Sequence, residues 1–172
     1  MGGRFLKQCC RCIIFALLLL SVGALTESPA AEVGEFKGSC VANGTRKLFP
    51  FSADREVYTY RISGHVSLQT SLGKQKNFWS ECVGLSDSVT GSVVRCVWTD
   101  LSGPKIFITL QSDRLQTDSQ VTGTIVGGTD RFKGISGDLS FDWTSVTFQE
   151  EANGESSVTG QTLNLSGRYQ LP

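Results

Sequence analysis

The chain has 172 residues, 40% of them hydrophobic, with 16 Lys and Arg balanced by 16 Asp and Glu. This length predicts one folded domain with a core of its own. Because charges of both signs are interspersed and no basic stripe occurs, the composition argues against nucleic-acid binding by a positive face.

Residues 1–30 have the features of an export signal. An uninterrupted apolar run at 13–20 follows three basic residues, namely Arg4, Lys7 and Arg11. This run is shorter than the roughly 18–20 residues that a bilayer span needs. We therefore predict a signal peptide over 1–30, cleaved after Ala30, and an exported protein, periplasmic or secreted, with no membrane association afterwards. Cleavage after Ala24 is an alternative, and so is an uncleaved anchor, since Ser21–Leu25 extends the apolar run.

Six cysteines occur, and three of them (Cys9, Cys10 and Cys12) lie in the predicted signal. The remaining three, Cys40, Cys82 and Cys96, predict one disulfide and one free thiol in an oxidising compartment. A structural zinc site needs about four ligands. Three widely spaced cysteines and the single histidine, His65, do not supply that set, so we predict no metal site and no cofactor.

After the signal, residues 32–50 have the least regular pattern. Their glycines and the Asn43-Gly44 pair predict a turn, with only a short strand at Val33–Lys37. From Val57 to Leu68 the side chains alternate between apolar and polar, which indicates one long strand or two strands joined at Gly64. The apolar positions of this segment share one parity: Tyr58, Tyr60, Ile62, Val66 and Leu68.

Residues 77–84 and 92–99 predict a hairpin. A register that places Cys82 opposite Cys96 also places Ser80 opposite Trp98, and it suits a cross-strand disulfide. Closing that loop of about fifteen residues would stabilise the fold by roughly 3 kcal/mol. Pairing of Cys40 with either of these cysteines remains the alternative, because spacing does not fix connectivity.

The second half of the chain predicts further strands. A turn beginning at Asp100 precedes a strand at Lys105–Leu110, and strands follow at Val121–Val126 and Asp138–Trp143. The apolar parity then changes, which predicts a bulge or strand break at Thr144–Ser145. The last strand, Val158–Leu171, follows a turn at Asn153-Gly154 and keeps four apolar residues on one parity: Leu163, Leu165, Tyr169 and Leu171.

No helical periodicity of useful length follows the signal. About eight strands joined by short turns predict an all-β domain over 31–172, either a sandwich or an antiparallel barrel, and closure into a barrel removes exposed edges.

The segment Gly127-Gly128-Thr129-Asp130-Arg131-Phe132-Lys133-Gly134, continued by Ile135-Ser136-Gly137 and a strand, resembles the glycine-rich signature of the allene oxide cyclase/dirigent β-barrel superfamily. The likeness covers roughly the last third of the chain. Asp130 departs from it, since the signature usually has glycine there, but Asp tolerates the left-handed region better than most residues. We interpret the glycines of the signature as structural turn residues: Gly127, Gly128, Gly134 and Gly137.

The resemblance implies an eight-stranded antiparallel barrel of calycin type with an apolar interior. Plant members of the superfamily cyclise an unstable fatty-acid epoxide or steer the radical coupling of phenols. Their working residues lie on other strands, so the resemblance assigns no catalytic residue to this chain.

Two residues are candidates for acid–base chemistry. His65 is the only histidine, but its parity opposes that of Tyr60 and Ile62, which predicts an outward side chain. Glu81 would have a raised pKa inside an apolar barrel, although an exposed strand carboxylate is the commoner case. No Gly-x-Ser-x-Gly motif occurs, and the catalytic residues stay unknown.

Five aromatic residues lie on the apolar parity of their strands and are candidates to line a ligand pocket: Tyr58, Tyr60, Trp98, Trp143 and Tyr169. The alternative is that they simply fill the interior, as side chains do in small barrels.

The sequence thus favours an exported barrel that binds a small apolar or aromatic molecule or acts as an interaction module. One alternative is a cyclase- or dirigent-type enzyme acting on a lipid-derived or phenolic substrate. Another is a structural envelope or surface protein that forms a homo-oligomer. Asn43 and Asn164 match glycosylation sequons.

Overall fold

The computed structural model describes residues 31–151 and 154–172; the predicted signal over 1–30 lies outside them, as does Asn153 of the predicted turn. The described chain forms nine strands and one short 3-10 turn. In chain order these are β1 Glu32–Ser52, β2 Arg55–Thr70, β3 Gln75–Asp87, β4 Gly91–Asp100, β5 Lys105–Ser112, β6 Gln120–Gly128, the 3-10 turn Asp130–Phe132, β7 Ser136–Asp142, β8 Ser145–Glu150 and β9 Glu155–Leu171.

The strands form one antiparallel sheet that closes on itself. From β1 to β7 each strand pairs with the next one in the chain, and β9 pairs with β7 on one edge and with β1 on the other. The result is an eight-stranded barrel with β8 as one extra strand, which confirms the predicted all-β barrel. Within the described residues, no helix is long and apolar enough to span a bilayer.

The predicted break near Thr144 is confirmed. β7 ends at Asp142 and β8 begins at Ser145, and both pair with β9. The intervening Trp143 bonds to the β5–β6 loop instead, because its N–H donates to the Ser119 carbonyl (3.1 Å) and its carbonyl accepts from the Asp118 N–H (2.7 Å). The break therefore ties residues 113–119 to one end of the barrel.

The prediction for residues 32–50 is wrong, because β1 is a continuous strand of 21 residues. The Asn43-Gly44 pair lies inside it and pairs with β2 and β9. A Cβ at Gly44 would lie 1.9 Å from the Arg61 carbonyl oxygen, and one at Gly38 would lie 2.1 Å from that of Ser67. These glycines mark close backbone approach between curled strands rather than a chain reversal.

The predicted single parity of the last strand is also wrong. Leu163 is 66% exposed, whereas Leu165 is 1% exposed. The register with β1 shifts between these residues, since Gly38 lies opposite Leu165 but Cys40 lies opposite Thr162. A bulge at this point shifts the inward and outward alternation by one residue. Leu163 therefore points outward, whereas Leu165, two residues further on, points into the barrel.

The hairpin of β3 and β4 has the predicted register, with Ser80 opposite Trp98 and Cys82 opposite Cys96. The two cysteines form a disulfide across the strands. Among the described cysteines, Cys40 is free, and it is half-buried in the barrel interior.

One end of the barrel, at the β2–β3, β4–β5 and β6–β7 connections, is filled by apolar side chains; we call it the closed end. The Phe132 ring lies 6.0 Å from the Phe78 ring, and Ile135 is buried beside them. The glycine-rich loop shapes this end, with positive φ at Gly127 and Gly134. As predicted, Asp130 adopts the left-handed region, with a φ of 52°.

Candidate functional site

Three of the five aromatic pocket candidates lie together in the middle of the barrel. Tyr60, Trp98 and Trp143 are buried and line one cavity of about 60 Å³. Such a cavity holds a few water molecules, whereas small-molecule sites usually enclose about 300–1,000 Å³. These three side chains therefore mainly fill the interior.

Glycines on neighbouring strands make room for two of the rings. A Cβ at Gly84 would lie 2.6 Å from the Tyr60 ring, and one at Gly160 would lie 2.7 Å from the Trp143 ring. Each large ring occupies the space that its glycine leaves free, which is how a small barrel reaches the close packing of a protein interior.

The other two candidates lie at opposite ends of the barrel. Tyr169 is near the closed end, where its ring packs over Gly34 and its hydroxyl donates to the Glu32 carboxylate (2.8 Å). Tyr58 lies at the opposite end, at the β1–β2, β3–β4 and β5–β6 connections, which we call the open end. The structure thus brings Tyr58 next to the central group and separates Tyr169 from it.

At the open end lies a second space of about 270 Å³, which we call the mouth pocket. Strands β1, β2 and β8 and the 113–119 loop contribute its main side chains: Arg46, Tyr58, Tyr60, Arg114, Leu115 and Phe148. Tyr60 and Leu115 line both the mouth pocket and the central cavity. These two side chains therefore lie between the two spaces.

Arg46 is the charged side chain most enclosed by aromatic groups in the mouth pocket. Its guanidinium carbon lies 4.4 Å from the centroid of the Tyr58 ring and 3.7 Å from that of the Phe148 ring. Its Nε atom is buried and has no hydrogen-bond partner among the described residues. The cation–π contacts stabilise the charge but use none of the in-plane N–H donors.

At the open end a neighbouring ion pair, Arg55 with Asp87, already occupies the carboxylate that could otherwise neutralise Arg46. Arg55 donates twice from Nε to the Asp87 carboxylate, at 2.9 and 3.0 Å, and pairs with it through Nη2. The Val89 N–H also donates to Asp87, at 2.9 Å. The hydrogen bond from Arg55, and then that from Val89, hold the pKa of Asp87 well below its ordinary value. Asp87 is thus fully engaged by groups other than Arg46.

A broader groove of about 670 Å³ lies on the other side of the 113–119 loop and shares Arg114 and Gln116 with the mouth pocket. Its lining is mostly polar and exposed, with Thr90, Gln111 and Asp118 among its residues. Although it is larger, it has no buried charge comparable with Arg46. We therefore place the candidate site in the mouth pocket.

Two ionisable groups line the central cavity, the buried Tyr60 and the half-buried Cys40. Burial raises the pKa of Tyr60 to about 12, against the opposing effect of its hydrogen bond with Ser92. Burial likewise raises the pKa of the Cys40 thiol to about 11. Both groups are therefore protonated at neutral pH, so each can donate a hydrogen bond, but neither is poised as a base or a thiolate.

The two acid–base candidates from the sequence lie on the outside of the barrel, as their strand parity predicted. His65 is exposed and packs edge-on against Trp79, with ring centroids 4.9 Å apart. Glu81 is exposed and lies 3.7 Å from the Arg61 guanidinium. Neither side chain faces the lumen.

Sequence reasoning missed Arg46 and Arg114. Arg46 shares the inward parity of Gly38 and Gly44, so recognising β1 as a continuous strand would have placed it inside the barrel. Arg114 lies in a loop, and no periodic pattern indicates where a loop side chain points.

Nothing in residues 31–151 and 154–172 brings three His, Cys, Asp or Glu side chains together as a metal site. Comparison with protein-family models, with curated proteins and with solved structures finds no match for this chain. The resemblance to the allene oxide cyclase/dirigent superfamily therefore rests on the glycine-rich pattern alone and stays a prediction.

Proposed function

We propose that this protein is an exported barrel that binds a small, partly apolar molecule at its open end. The observation that carries this proposal is the mouth pocket of about 270 Å³, where the rings of Tyr58 and Phe148 pack against Arg46, whose Nε is buried without a partner among the described residues. Polar side chains, the Glu56 carboxylate among them, form much of the remaining lining. Concave sites with an apolar lining and a few placed polar groups are the usual form of small-molecule sites.

The size of the two spaces supports a ligand held at the mouth rather than in the lumen. The central cavity of about 60 Å³ is too small for a whole aromatic molecule. The mouth pocket is several times larger, and Leu115 lies between the two. A ligand would rest against Tyr58 and Phe148, with only a small group directed towards the centre.

Export is supported by the disulfide between Cys82 and Cys96, because such bonds persist mainly in oxidising compartments. The predicted signal over 1–30 adds to this argument from the sequence. Together they favour a secreted or periplasmic location for the binding protein.

The test is a panel of phenols and aromatic acids, read by tryptophan fluorescence and by the thermal unfolding midpoint. Phe148 and Phe107 give a matched pair, since both are 37% exposed but Phe107 lies on the outer face of β5. We expect at least one compound to raise the midpoint, Phe148→Ala to abolish that rise, and Phe107→Ala to preserve it. A panel without effect, or equal responses of the two variants, would overturn the proposal.

A further inference from the structure

The unused donors of Arg46 indicate the chemistry of the ligand. A guanidinium carries five N–H donors in one plane, and stacking on rings leaves that plane free to bind an anion edge-on. The Nε–H of Arg46 is removed from water without a partner in the described structure. Leaving a buried donor unsatisfied is costly, and a shift of the side chain that brings this N–H to a bound acceptor would relieve that cost.

The other charges of the mouth pocket do not neutralise Arg46. Asp87 is held by Arg55, and the Glu56 carboxylate lies 3.5 Å from the Tyr58 hydroxyl. Neither carboxylate comes within ion-pair distance of Arg46, for which the described residues provide no salt bridge. Arg114 adds a second positive charge to the same lining. The pocket therefore contains two cations to which no carboxylate of the described chain is paired.

We propose that the ligand of the mouth pocket is a compact aromatic carboxylate, a conclusion that rests on the proposed binding function. Its carboxylate accepts hydrogen bonds from Arg46, with Arg114 as the second cation, because guanidinium and carboxylate groups form paired, planar hydrogen bonds. Its ring packs against Tyr58 and Phe148. The volume of about 270 Å³ lies just below the range usual for small-molecule sites, about 300–1,000 Å³, and therefore favours a small acid with one or two rings.

Three matched pairs of probes test the charge requirement: benzoate with benzamide, cinnamate with cinnamamide, and 1-naphthoate with 1-naphthamide. Within each pair the ring is constant and only the acidic group changes. We expect the best acid to bind the wild-type protein at least about tenfold more tightly than its amide by isothermal titration calorimetry, since a charge-assisted bond replaces a neutral one.

Two variants of Arg46 test whether the preference for acid over amide depends on this side chain. Arg46→Gln removes the charge and is expected to erase the preference for acid over amide. Arg46→Lys keeps the charge and most of the stem but not the planar donors, and we expect it to retain only part of the preference. Arg61→Gln makes the same change on an exposed, outward side chain and is expected to behave as wild type. Unfolding curves of all three variants verify that they fold. If Arg46→Gln does not fold, the binding preference of Arg46→Lys serves as the test.

The outcomes separate this inference from the function on which it rests. Equal binding of acids and amides, weakened for both by Phe148→Ala, would overturn the carboxylate and leave the binding function standing. An acid preference that survives in both Arg46 variants would also overturn it. If neither acids, amides nor the phenols of the wider panel bind, the binding function itself is wrong.

Discussion

The two ends of the barrel differ in what fills them. At the closed end, Phe36, Phe78 and Ile135 are buried, and the Phe132 ring packs against that of Phe78. At the open end, Phe148 remains exposed beside a charged side chain, Arg46. The same strands form both ends, so the difference comes from the side chains at the strand ends and from the loops that cover them.

This difference separates stability from binding. Packed aromatic rings with no space among them contribute most of their stabilisation through burial. A pocket that receives a ligand keeps apolar surface and a charge incompletely covered, and it belongs to the less stable part of a fold. Substitutions at the closed end should therefore change the free energy of unfolding, and substitutions at the open end should mainly change binding.

The largest expected effect comes from truncating the same residue type at each end. Phe78→Ala should lower the free energy of unfolding by about 3–5 kcal/mol, because it leaves a cavity in a packed core. Phe148→Ala should lower it by about 1 kcal/mol or less, because the ring is already partly in water. Urea unfolding measures both values. Similar losses for the two variants would contradict the division between the ends.

The disulfide between Cys82 and Cys96 lies between the two ends and should affect stability alone. It joins residues 14 positions apart, and its loss should cost about 3 kcal/mol in the chain-entropy model. Replacing both cysteines with serine and repeating the unfolding and binding measurements tests this. We expect a lower unfolding midpoint with ligand affinity preserved at temperatures where the variant is folded. A loss of affinity in the folded variant would show that the open end depends on the crosslink.

Both ends also carry an Arg–Asp ion pair whose carboxylate has a lowered pKa, Arg55–Asp87 at the open end and Arg131–Asp100 at the closed end. Hydrogen bonds from Ser102, followed by the contact with Arg131, lower the pKa of Asp100 to about 2. The pKa of Asp87 is lowered further than that of Asp100. A lowered folded-state pKa stabilises the fold above the ordinary value of about 4, and this stabilisation disappears as the pH falls through the folded-state value.

Stability should therefore decrease between about pH 4 and pH 2, and Asp87→Asn should flatten that decrease more than Asp100→Asn does. Unfolding free energies measured across this range with both variants test the order. A steeper acid response in Asp87→Asn than in wild type would contradict the assignment.

The smallest effect concerns Cys40, inside the barrel between the two ends. Because burial raises its pKa to about 11, the thiol is almost fully protonated at pH 8 and should react slowly with iodoacetamide. Peptide mass spectrometry should find Cys40 unlabelled in the folded protein and labelled after unfolding. Rapid labelling of Cys40 in the folded protein would place it in contact with solvent.

The sequence predicted the strands whose apolar positions alternate without interruption. Tyr60, Ile62 and Val66 of β2 have the predicted inward parity, and the register of Cys82 with Cys96 follows from a hairpin with a short connection. The continuous strand β1 was not predicted. Its glycines allow neighbouring strands to approach closely, but in the sequence they look the same as the glycines of a turn. Leu163 was misplaced because a bulge changes parity without an obvious residue signal.

The candidate site was less predictable than the fold. Arg46 lies in the strand that was missed, and Phe148, Tyr58 and Leu115 come from segments far apart in the chain. Only closure of the barrel brings them together. The aromatic residues that fill the barrel were predicted as a group of pocket residues. The mouth pocket, however, lies beside them, at the open end of the barrel.

Side-chain ¹⁵N–¹H spectra of the arginine Nε–H groups, recorded during titration with 1-naphthoate, test the central claim most directly. The Arg46 signal is identified by its loss in Arg46→Lys, and the Arg61 signal by its loss in Arg61→Gln. We predict that the Arg46 signal shifts in a saturable manner while the Arg61 signal stays in place. Saturable binding that leaves the Arg46 signal unmoved would contradict a carboxylate site at the open end of the barrel.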